Sequence, residues 1–347
     1  MGNRIFWGVQ AVGIAAEDTT VFTQIHGLQS VGMTTTFNLE QIFEIGQLSI
    51  YENVEDIPDI EVTFEKVLDG HPLIYHLATQ DASAGTLAGR STARCNVALN
   101  IYDDTFSAAT GTPAAQVDMS GLYVSSVSYT MPTDGSCTES VTLVGNNRAW
   151  RTANWSFSGG EVVIAGSDVP VGGSGGVQRR ENVLFAAGSI TSPDATLLPS
   201  GAGGIAGISS SGTNDKTADV YGAHVSSLSV SVDFGRSNIN ELGRRGPYFR
   251  FVDYPTEVTS EVSIISTTGD LVEATEAGVA GDGNNLYNQK IFIALEDSTT
   301  IDLGEQNKLS NVTYGGGDAN GGNVEVTYSY TTFNDFTVAQ GHDPAGL

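Results

Sequence analysis

The chain has 347 residues, enough for two domains of ordinary size and a connecting segment, and its 40% hydrophobic content excludes wholesale disorder. With 42 glycines, 10 prolines and recurrent Ser, Thr and Val, the composition indicates short strands joined by tight turns. The net charge of −25 is spread over the whole chain: residues 1–150 hold 5 basic and 17 acidic side chains, and residues 151–347 hold 10 and 23, which strongly disfavours binding to nucleic-acid phosphates.

The first half begins with a predicted strand and a predicted short helix. The strand covers VGMTTTFN, residues 31–38, and leads into LEQIFEIG, residues 39–46. Apolar residues recur at helical spacing in the second stretch, Asn38 is a candidate N-cap, and Gly46 can end a helix. We therefore expect a helix over residues 39–46.

The rest of the first half is predicted to be strands. EVTFEKV alternates, Asp69-Gly70 marks a turn, and the apolar stretch PLIYHLAT predicts a returning strand. CNVALNIYDD predicts another strand. YVSSVSYTMPTDGSCTESVTLVG then predicts a hairpin with Asp134-Gly135 in its turn, because both arms alternate.

The second half repeats this order about 197 positions later. HVSSLSVSVDF predicts a strand, SNINELG a short helix with Ser237 as N-cap, and EVTSEVSIIST and KIFIALED two further strands, before the closing hairpin NKLSNVTYGGGDANGGNVEVTYSYTTF. The matching residues are Phe37, Ile42, Glu44, Gly46 and Pro58 in the first copy and Phe234, Ile239, Glu241, Gly243 and Pro255 in the second. Glu-Val-Thr follows in both copies, at 61–63 and 257–259. Each copy predicts a β-sandwich or β-barrel with one short helix.

Residues 151–216 separate the two copies and differ from them in composition. This Gly/Ser-rich segment is long and partly apolar for a plain linker. We expect an extended hairpin or loop that orders against a neighbour, with a mobile linker as the alternative. The predicted domains are therefore 1–150 and 217–347, with 151–216 between them.

No motif in the sequence predicts an enzyme, a cofactor site or a metal site. The glycine pattern at 201–206 matches a dinucleotide fingerprint but has no helical pattern after it. The five histidines form no metal-ligand spacing, and Cys95 and Cys137 are expected to be buried free thiols. No stretch approaches the ~20 apolar residues of a membrane span, and MGNRIFWGVQAVG lacks the features of a signal peptide, so we expect no secretion.

The two copies differ in charge at equivalent places. QLSIYENVEDIPDIE in the first copy carries Glu52, Glu55, Asp56 and Asp59, whereas RRGPYFRFVDYP in the second carries Arg244, Arg245 and Arg250. If the copies alternate around a ring, the acidic and basic stretches could meet and set the register. These seven residues are the predicted subunit interface. The alternative is two unrelated solvated loops.

The segments FNLEQIFEIGQLSIYENVEDIPDIEVTFEKVLDGHPLIYHLAT, SVSYTMPTDGSCTESVTLVGNN and DFGRSNINELGRRGPYFRFVDYPTEVTSEVSII together resemble a bacteriophage major tail protein, the tail tube subunit. The resemblance covers both halves and little of the middle. It implies two β-sheets flanked by a helix, six-fold rings that stack into a hollow tube, and an acidic lumen through which the genome passes. A single tube domain needs about half of this chain, so the repeat predicts two tube domains per polypeptide.

The sequence thus predicts an all-β structural virion protein, present in the host cytoplasm during assembly and in the phage tail afterwards. Its expected partners are further copies of itself, other tail proteins such as sheath or terminator and baseplate or tip, and passing DNA. Two assemblies stay open: three chains forming a pseudo-hexamer, or six chains with one copy on the outside. A surface adhesin-like binding module and a hydrolase with a scattered site are the functional alternatives.

Overall fold

A computed structural model describes residues 4–17, 19, 21–104, 113–152, 164–165, 176–184, 224–266, 272, 288, 290–316 and 322–340. The described chain is mainly strand, which confirms the predicted all-β class, and it contains the short helices α1 (Ile74–Ala78) and α2 (Leu87–Arg90). The strands are β1 Gln10–Ala16, β2 Phe22–Gln24, β3 Leu28–Thr36, β4 Leu39–Phe43, β5 Ile50–Glu55, β6 Asp59–Val67, β7 Cys95–Ile101, β8 Ala115–Pro132, β9 Thr138–Gly145, β10 Asn147–Thr152, β11 Ile164–Ala165, β12 Val183–Leu184, β13 His224–Asp233, β14 Arg236–Ile239, β15 Phe249–Val252, β16 Glu257–Ile265, β17 Phe292–Leu295, β18 Thr300–Asp302, β19 Lys308–Gly315, β20 Glu325–Phe333 and β21 Thr337–Ala339.

Eight strands form one continuous antiparallel ladder in the order β3-β6-β9-β8-β13-β16-β20-β19. The first four strands of this eight-stranded sheet are called unit one, and the last four are called unit two. Both units have the same internal order, a pair of strands followed by the second and then the first arm of a hairpin. The sequence repeat is therefore a repeat of structure. The contact between the units, where β8 pairs with β13, is called the internal junction.

Strand β8 belongs to two sheets. Its first half pairs with β7 and β10, and its second half pairs with β9 and β13. Gly121 lies between the two halves with φ of +66°, a conformation that a residue with a Cβ adopts only with strain. Through this strand the eight-stranded sheet continues into a second ladder, β11-β2-β1-β7-β8-β10. Within the described ranges no sheet closes into a barrel.

Residues from both halves share one hydrophobic core. It lies on one face of the eight-stranded sheet, beneath α1 and the small sheet β12-β17-β18-β21. The Tyr75 ring of α1 lies 5.8 Å from that of Phe336 and 6.5 Å from that of Phe234. Cys95 and Cys137 are buried free thiols in this core, as predicted. The division into domains at 1–150 and 217–347 stays a prediction, and most of the 151–216 segment, with the glycine pattern at 201–206, lies outside the described residues.

The two predicted helices at 39–46 and 237–243 are wrong. Both stretches form hairpins that leave the sheet, β4 with β5 and β14 with β15. The apolar residues that suggested an amphipathic helix have no core to face, since Leu39 is 57% exposed and Phe43 61%. Gly46 (φ +104°) and Gly243 (φ +83°) lie in the hairpin turns and do not end helices.

The predicted strand in PLIYHLAT is also wrong, because this stretch contains α1. All five residues of α1 are buried, so its sequence shows no amphipathic period and cannot be told from a buried strand. Its first backbone N–H groups, those of Ile74 and Tyr75, donate hydrogen bonds to the carboxylate of Glu139 on β9. The helix therefore forms where a distant strand supplies its cap.

Candidate assembly surfaces

The eight-stranded sheet ends in two long unpaired edges. In the part of the chain that the structure describes, β3 pairs with β6 alone and β19 with β20 alone. Neither edge strand contains proline, and nearly all residues of both strands are exposed or half-buried. Each edge presents a row of backbone N–H and C=O groups to another strand, and such edges readily pair with a second chain.

The face of this sheet that points away from the core is rich in hydroxyl groups and carboxylates. One row crosses all eight strands, running Ser30, Glu65, Ser140, Ser128, Ser231, Thr259, Thr331, Lys308. Hydroxyl groups pair across strands, as between Ser231 Oγ and Thr259 Oγ1 at 2.7 Å. The exposed carboxylates of this hydroxyl-rich face are Asp59, Glu61, Glu65, Asp233, Glu257, Glu261 and Glu325.

Against these seven carboxylates, Lys308 is the one basic side chain among the described strand residues of the hydroxyl-rich face. Such a surface offers DNA phosphates almost no cation to bind, and its own negative charge repels them. Seven of the 40 acidic residues of the chain thus lie exposed on one face of the sheet.

The predicted acidic and basic stretches come together within one chain. Arg250 on β15 donates from Nη2 to Asp59 Oδ1 at 3.0 Å, and also to Asn146 Oδ1 at 2.9 Å. Arg245 Nη2 lies 3.4 Å from the backbone oxygen of Glu55. The contacts of Arg250 join the β14–β15 hairpin to unit one, and that of Arg245 joins it to the β4–β5 hairpin. The role of the seven residues as an interface between subunits stays a prediction.

The other predicted interface residues have local surroundings. Glu52 lies exposed on β5, and Asp56 accepts a hydrogen bond from the backbone N–H of Ile57 at 2.7 Å. The Arg244 guanidinium lies over the Tyr248 ring, 5.6 Å from its centroid. Charge pattern alone could not separate the arginine that crosses to unit one from the one that stays on its own hairpin.

The sequence reading missed the exposed apolar side chains of the two hairpins. Ile45 and Leu48 at the turn of β4–β5, and Leu242 at the turn of β14–β15, are fully exposed, and Tyr248 is 57% exposed. Large apolar side chains that are fully exposed at the hairpin turns are candidates for an interaction surface. The signal was present in the sequence, because apolar residues beside a turn glycine have no core to enter. The helical interpretation concealed it.

A polar cleft lies where β8, β10 and β7 meet. Its lining includes Asn96, Asp118, Asn147 and Arg151. Burial raises the pKa of Asp118, and the neighbouring Arg151 opposes this rise, with Nε at 2.6 Å from the carboxylate. The carboxylate at the centre of the cleft is thus already engaged by a guanidinium.

Among the described residues, no group of three or more His, Cys, Asp or Glu side chains could hold a metal ion. The described helices also include none that is long and apolar enough to cross a membrane.

Comparisons with known proteins complete the description. No family model matches the chain, and no curated protein matches it. Among solved structures it is similar to a chain of the anti-feeding prophage baseplate, at 12% identity and a TM-score of 0.34, covering 44% of this chain and 98% of that one. A chain of the anti-feeding prophage tube-terminating cap gives 11% identity and a TM-score of 0.32, with coverage of 44% and 94%. A chain of an extracellular contractile injection system, the PVC sheath–tube complex in its extended state, is 9% identical with a TM-score of 0.32. The match covers 43% of this chain and 93% of that one.

Proposed function

We propose that this chain is the structural subunit of a phage-type tail tube. Copies join edge to edge into rings, the rings stack, and the hydroxyl-rich face lines a lumen through which the genome passes. The observation that carries the proposal is the eight-stranded sheet made of two equivalent units joined head to tail, whose outer edges have no partner strand among the described residues.

The internal junction is a template for assembly. It joins the last strand of unit one, β8, to the first strand of unit two, β13, in antiparallel register. The free edges are the first strand of unit one, β3, and the last strand of unit two, β19. A second copy can therefore repeat the same kind of junction, with β19 of one chain beside β3 of the next. Such head-to-tail contacts give a ring when the rotation closes.

The continuity of the sheet favours three chains per ring over six. Both units belong to one ladder, so placing unit two on the outside of the ring would break the internal junction. Three chains supply the six tube units that the family resemblance implies. We therefore propose a three-chain pseudo-hexamer in which unit one and unit two alternate.

The orientation of the sheet follows from its two faces. Helix α1 and the small four-stranded sheet cover one face, and no described element covers the hydroxyl-rich face, which can therefore point inward. A closed ring of this sheet would surround DNA with hydroxyl groups and carboxylates. Phosphates would find few cations there, so the DNA could slide without adhering. Other tail proteins would bind at the two ends of such a tube.

Electron microscopy of the purified full-length chain tests the proposal. We expect hollow tubes, alone or after addition of tail initiation proteins, with three-fold symmetry in end-on views of the rings. A chain that stays monomeric under both conditions would contradict the proposal. Tubes with true six-fold symmetry would retain the function and reject the three-chain ring.

A further inference from the structure

Two phenylalanines that match in the sequence repeat, Phe37 and Phe234, differ sharply in burial, although the ladder register places Phe234 at the position of Thr35, two residues before Phe37. Phe234, at the end of β13, is 1% exposed, and its backbone N–H donates to Ser125 O on β8 at 2.9 Å. Phe37, at the matching place after β3, is 70% exposed. The sequence neighbourhoods correspond, but Phe234 has the internal junction beside it and Phe37 has a free edge. Phe234 also has the Tyr75 ring of α1 as a neighbour, 6.5 Å away.

The core-facing residues of the strands show the same difference. At the internal junction Leu228, Val230 and Val232 of β13 and Val127, Tyr129 and Met131 of β8 are all buried. At the free edges the core-facing apolar residues are only half-buried, and these are Leu28, Val31 and Met33 of β3 and Leu309 and Val312 of β19. The core-facing side chains of each free edge are thus packed on one side only, whereas those of the internal junction are packed on both sides.

The shared Glu-Val-Thr segment fixes the correspondence between β3 and β13. Val62 on β6 and Val258 on β16 occupy the same place in this segment, and both are buried. Val62 is opposite Met33, and Val258 is opposite Val232. Met33 therefore takes the place of Val232, and Val31, two residues earlier, takes the place of Val230.

The same segment, followed across the other side of each unit, relates β19 to β8. Phe64, two residues after Val62, is opposite Val141 on β9, and Val141 is opposite Val127 on β8. The equivalent residue of unit two, Ser260, is opposite Tyr330 on β20, and Tyr330 is opposite Leu309 on β19. Leu309 therefore corresponds to Val127. By the same steps Val312 corresponds to Tyr129, since β19 contains a bulge between Leu309 and Asn311.

Resting on the proposed function, we propose that β3 of one chain pairs antiparallel with β19 of a second copy, with Met33 opposite Leu309 and Val31 opposite Val312, and that Phe37, two residues beyond the place of Phe234 in this register, packs at the end of this contact. The register is that of the internal junction, where Val232 is opposite Val127 and Val230 is opposite Tyr129.

Charge agrees with this register. In the internal junction Ser126 is opposite Asp233. Their equivalents at the free edges are Lys308 and Thr34. Strand β3 of the next chain therefore lies between Lys308 and Glu61, because Glu61 on β6 is opposite Thr34 on β3. Lys308, the one cation among the described strand residues of the hydroxyl-rich face, is therefore placed about 10 Å along the ladder from a carboxylate of the neighbouring copy, which favours this head-to-tail contact.

A paired-cysteine experiment tests the register. Directly opposite residues of antiparallel strands have Cβ atoms about 4.5–5.5 Å apart, close to disulfide geometry. In the full-length chain, Met33→Cys with Leu309→Cys should give covalent dimers and trimers on oxidation of assembled protein. Met33→Cys with Val312→Cys, which places the second cysteine at the next core-facing position, should give few. The native Cys95 and Cys137 are buried and add no background.

The outcomes separate the register from the function. If tubes form but the control pair cross-links in preference to the designed pair, the proposed register is wrong and the tube assignment stands. If tubes form and neither pair cross-links, the β3–β19 contact is wrong. If the unmodified chain forms no tubes or rings, the proposed function itself fails.

A substitution series tests Phe37. Burying a phenylalanine contributes about 2 kcal/mol, which corresponds to more than tenfold in an association constant. Phe37→Ser should raise the concentration needed for assembly by about tenfold or more, while the thermal midpoint of the monomer stays unchanged because the side chain is exposed there. Trp7→Ser, at a side chain 89% exposed and outside the proposed contact, is the matched control. Equal shifts in the two variants would overturn the role of Phe37.

Discussion

At the residue scale, one buried carboxylate connects helix α1 to the sheet. Glu139 is fully buried and accepts hydrogen bonds from the backbone N–H groups of Ile74 (2.7 Å) and Tyr75 (3.1 Å) and from Tyr129 Oη (3.0 Å). Burial raises its pKa, and the hydrogen bonds oppose the rise. The side chain is polar because three donors around it would otherwise be unsatisfied.

Replacing this carboxylate should therefore destabilise the monomer. Glu139→Leu leaves three buried donors without an acceptor, each costing about 1–3 kcal/mol, so we expect the free energy of unfolding to fall by about 3 kcal/mol or more. Chemical denaturation measures this. Glu65→Leu, at an exposed position on the adjacent strand, should change stability by less than about 0.5 kcal/mol. Similar losses in both variants would contradict the capping role.

His26 gives the monomer a pH dependence of known sign. Its ring stacks on that of His71, with centroids 4.5 Å apart, and burial and then the charge of His71 lower its pKa from 6.5. A lowered folded-state pKa means that the unfolded chain binds more protons, so stability is full above about pH 6.5 and is lost as the pH falls through the folded-state pKa. The melting temperature should fall more for the unmodified chain than for His26→Gln between pH 8 and pH 5. Parallel pH profiles would reject this assignment.

At the element scale, three side chains fasten the β14–β15 hairpin to unit one: Arg236 Nε donates to Val124 O at 2.6 Å, Phe249 packs edge-on against Tyr123, and Arg250 makes two hydrogen bonds. Arg250 is 8% exposed and reaches both Asp59 and Asn146, whereas the charged group of Arg244 lies on Tyr248 of its own hairpin. Asp59 is half exposed, so water screens the ion pair and most of its value lies in placing the hairpin.

Two arginine variants distinguish these roles. Arg250→Ala removes one of the links to unit one, leaving those of Arg236 and Phe249, and should lower the free energy of unfolding by about 1 kcal/mol, with faster hydrogen exchange in β14 and β15. Arg244→Ala should leave both quantities nearly unchanged. The comparison is made by denaturation and by exchange monitored with mass spectrometry, and faster exchange in Arg244→Ala alone would refute the fastening role.

Elements with a clear alternation were predictable from sequence. The hairpin of β8 and β9 was found because alternate residues face the core on both arms, and the repeat was found because both units preserve the same excursion between their first two strands. The two hairpins between these strands were wrongly predicted to be helices, since their apolar residues face solvent and are spaced as in a helix. Helix α1 was misread because its cap, Glu139, lies on a strand 65 residues away.

At the scale of the whole molecule, the sequence could suggest two tube units but not that they form one sheet. The internal junction depends on pairing between β8 and β13, which are separated by the long segment of different composition. Neither strand carries a local signal of its partner. Likewise, which carboxylates share one face follows from ladder register across eight strands, a property that no single stretch of sequence contains.

The hydroxyl-rich face gives a prediction about DNA. Glu65 and Glu261 occupy equivalent places in the two units and are both exposed on this face. Glu65→Lys with Glu261→Lys should leave tubes intact but make them retain DNA, with retention that falls steeply as salt rises.

Asp81→Lys with Glu181→Lys, which makes the same charge change at exposed positions off the eight-stranded sheet, is the control. Filter retention of labelled duplex by purified tubes, measured over a salt series, compares the two variants. Equal retention would show that the hydroxyl-rich face is not the surface that DNA meets.

The unequal hairpins limit how one ring can sit on another. Around a three-chain ring the β4–β5 hairpin, which carries Glu40, Glu44, Glu52 and Glu55 and no basic residue, would alternate with the arginine-bearing β14–β15 hairpin. The rim then repeats every third of a turn and not every sixth, so a stacked ring has half as many equivalent rotational positions. Each ring would therefore take its rotational position from the ring beneath it. The rotational position of the first ring would be kept along the whole tube.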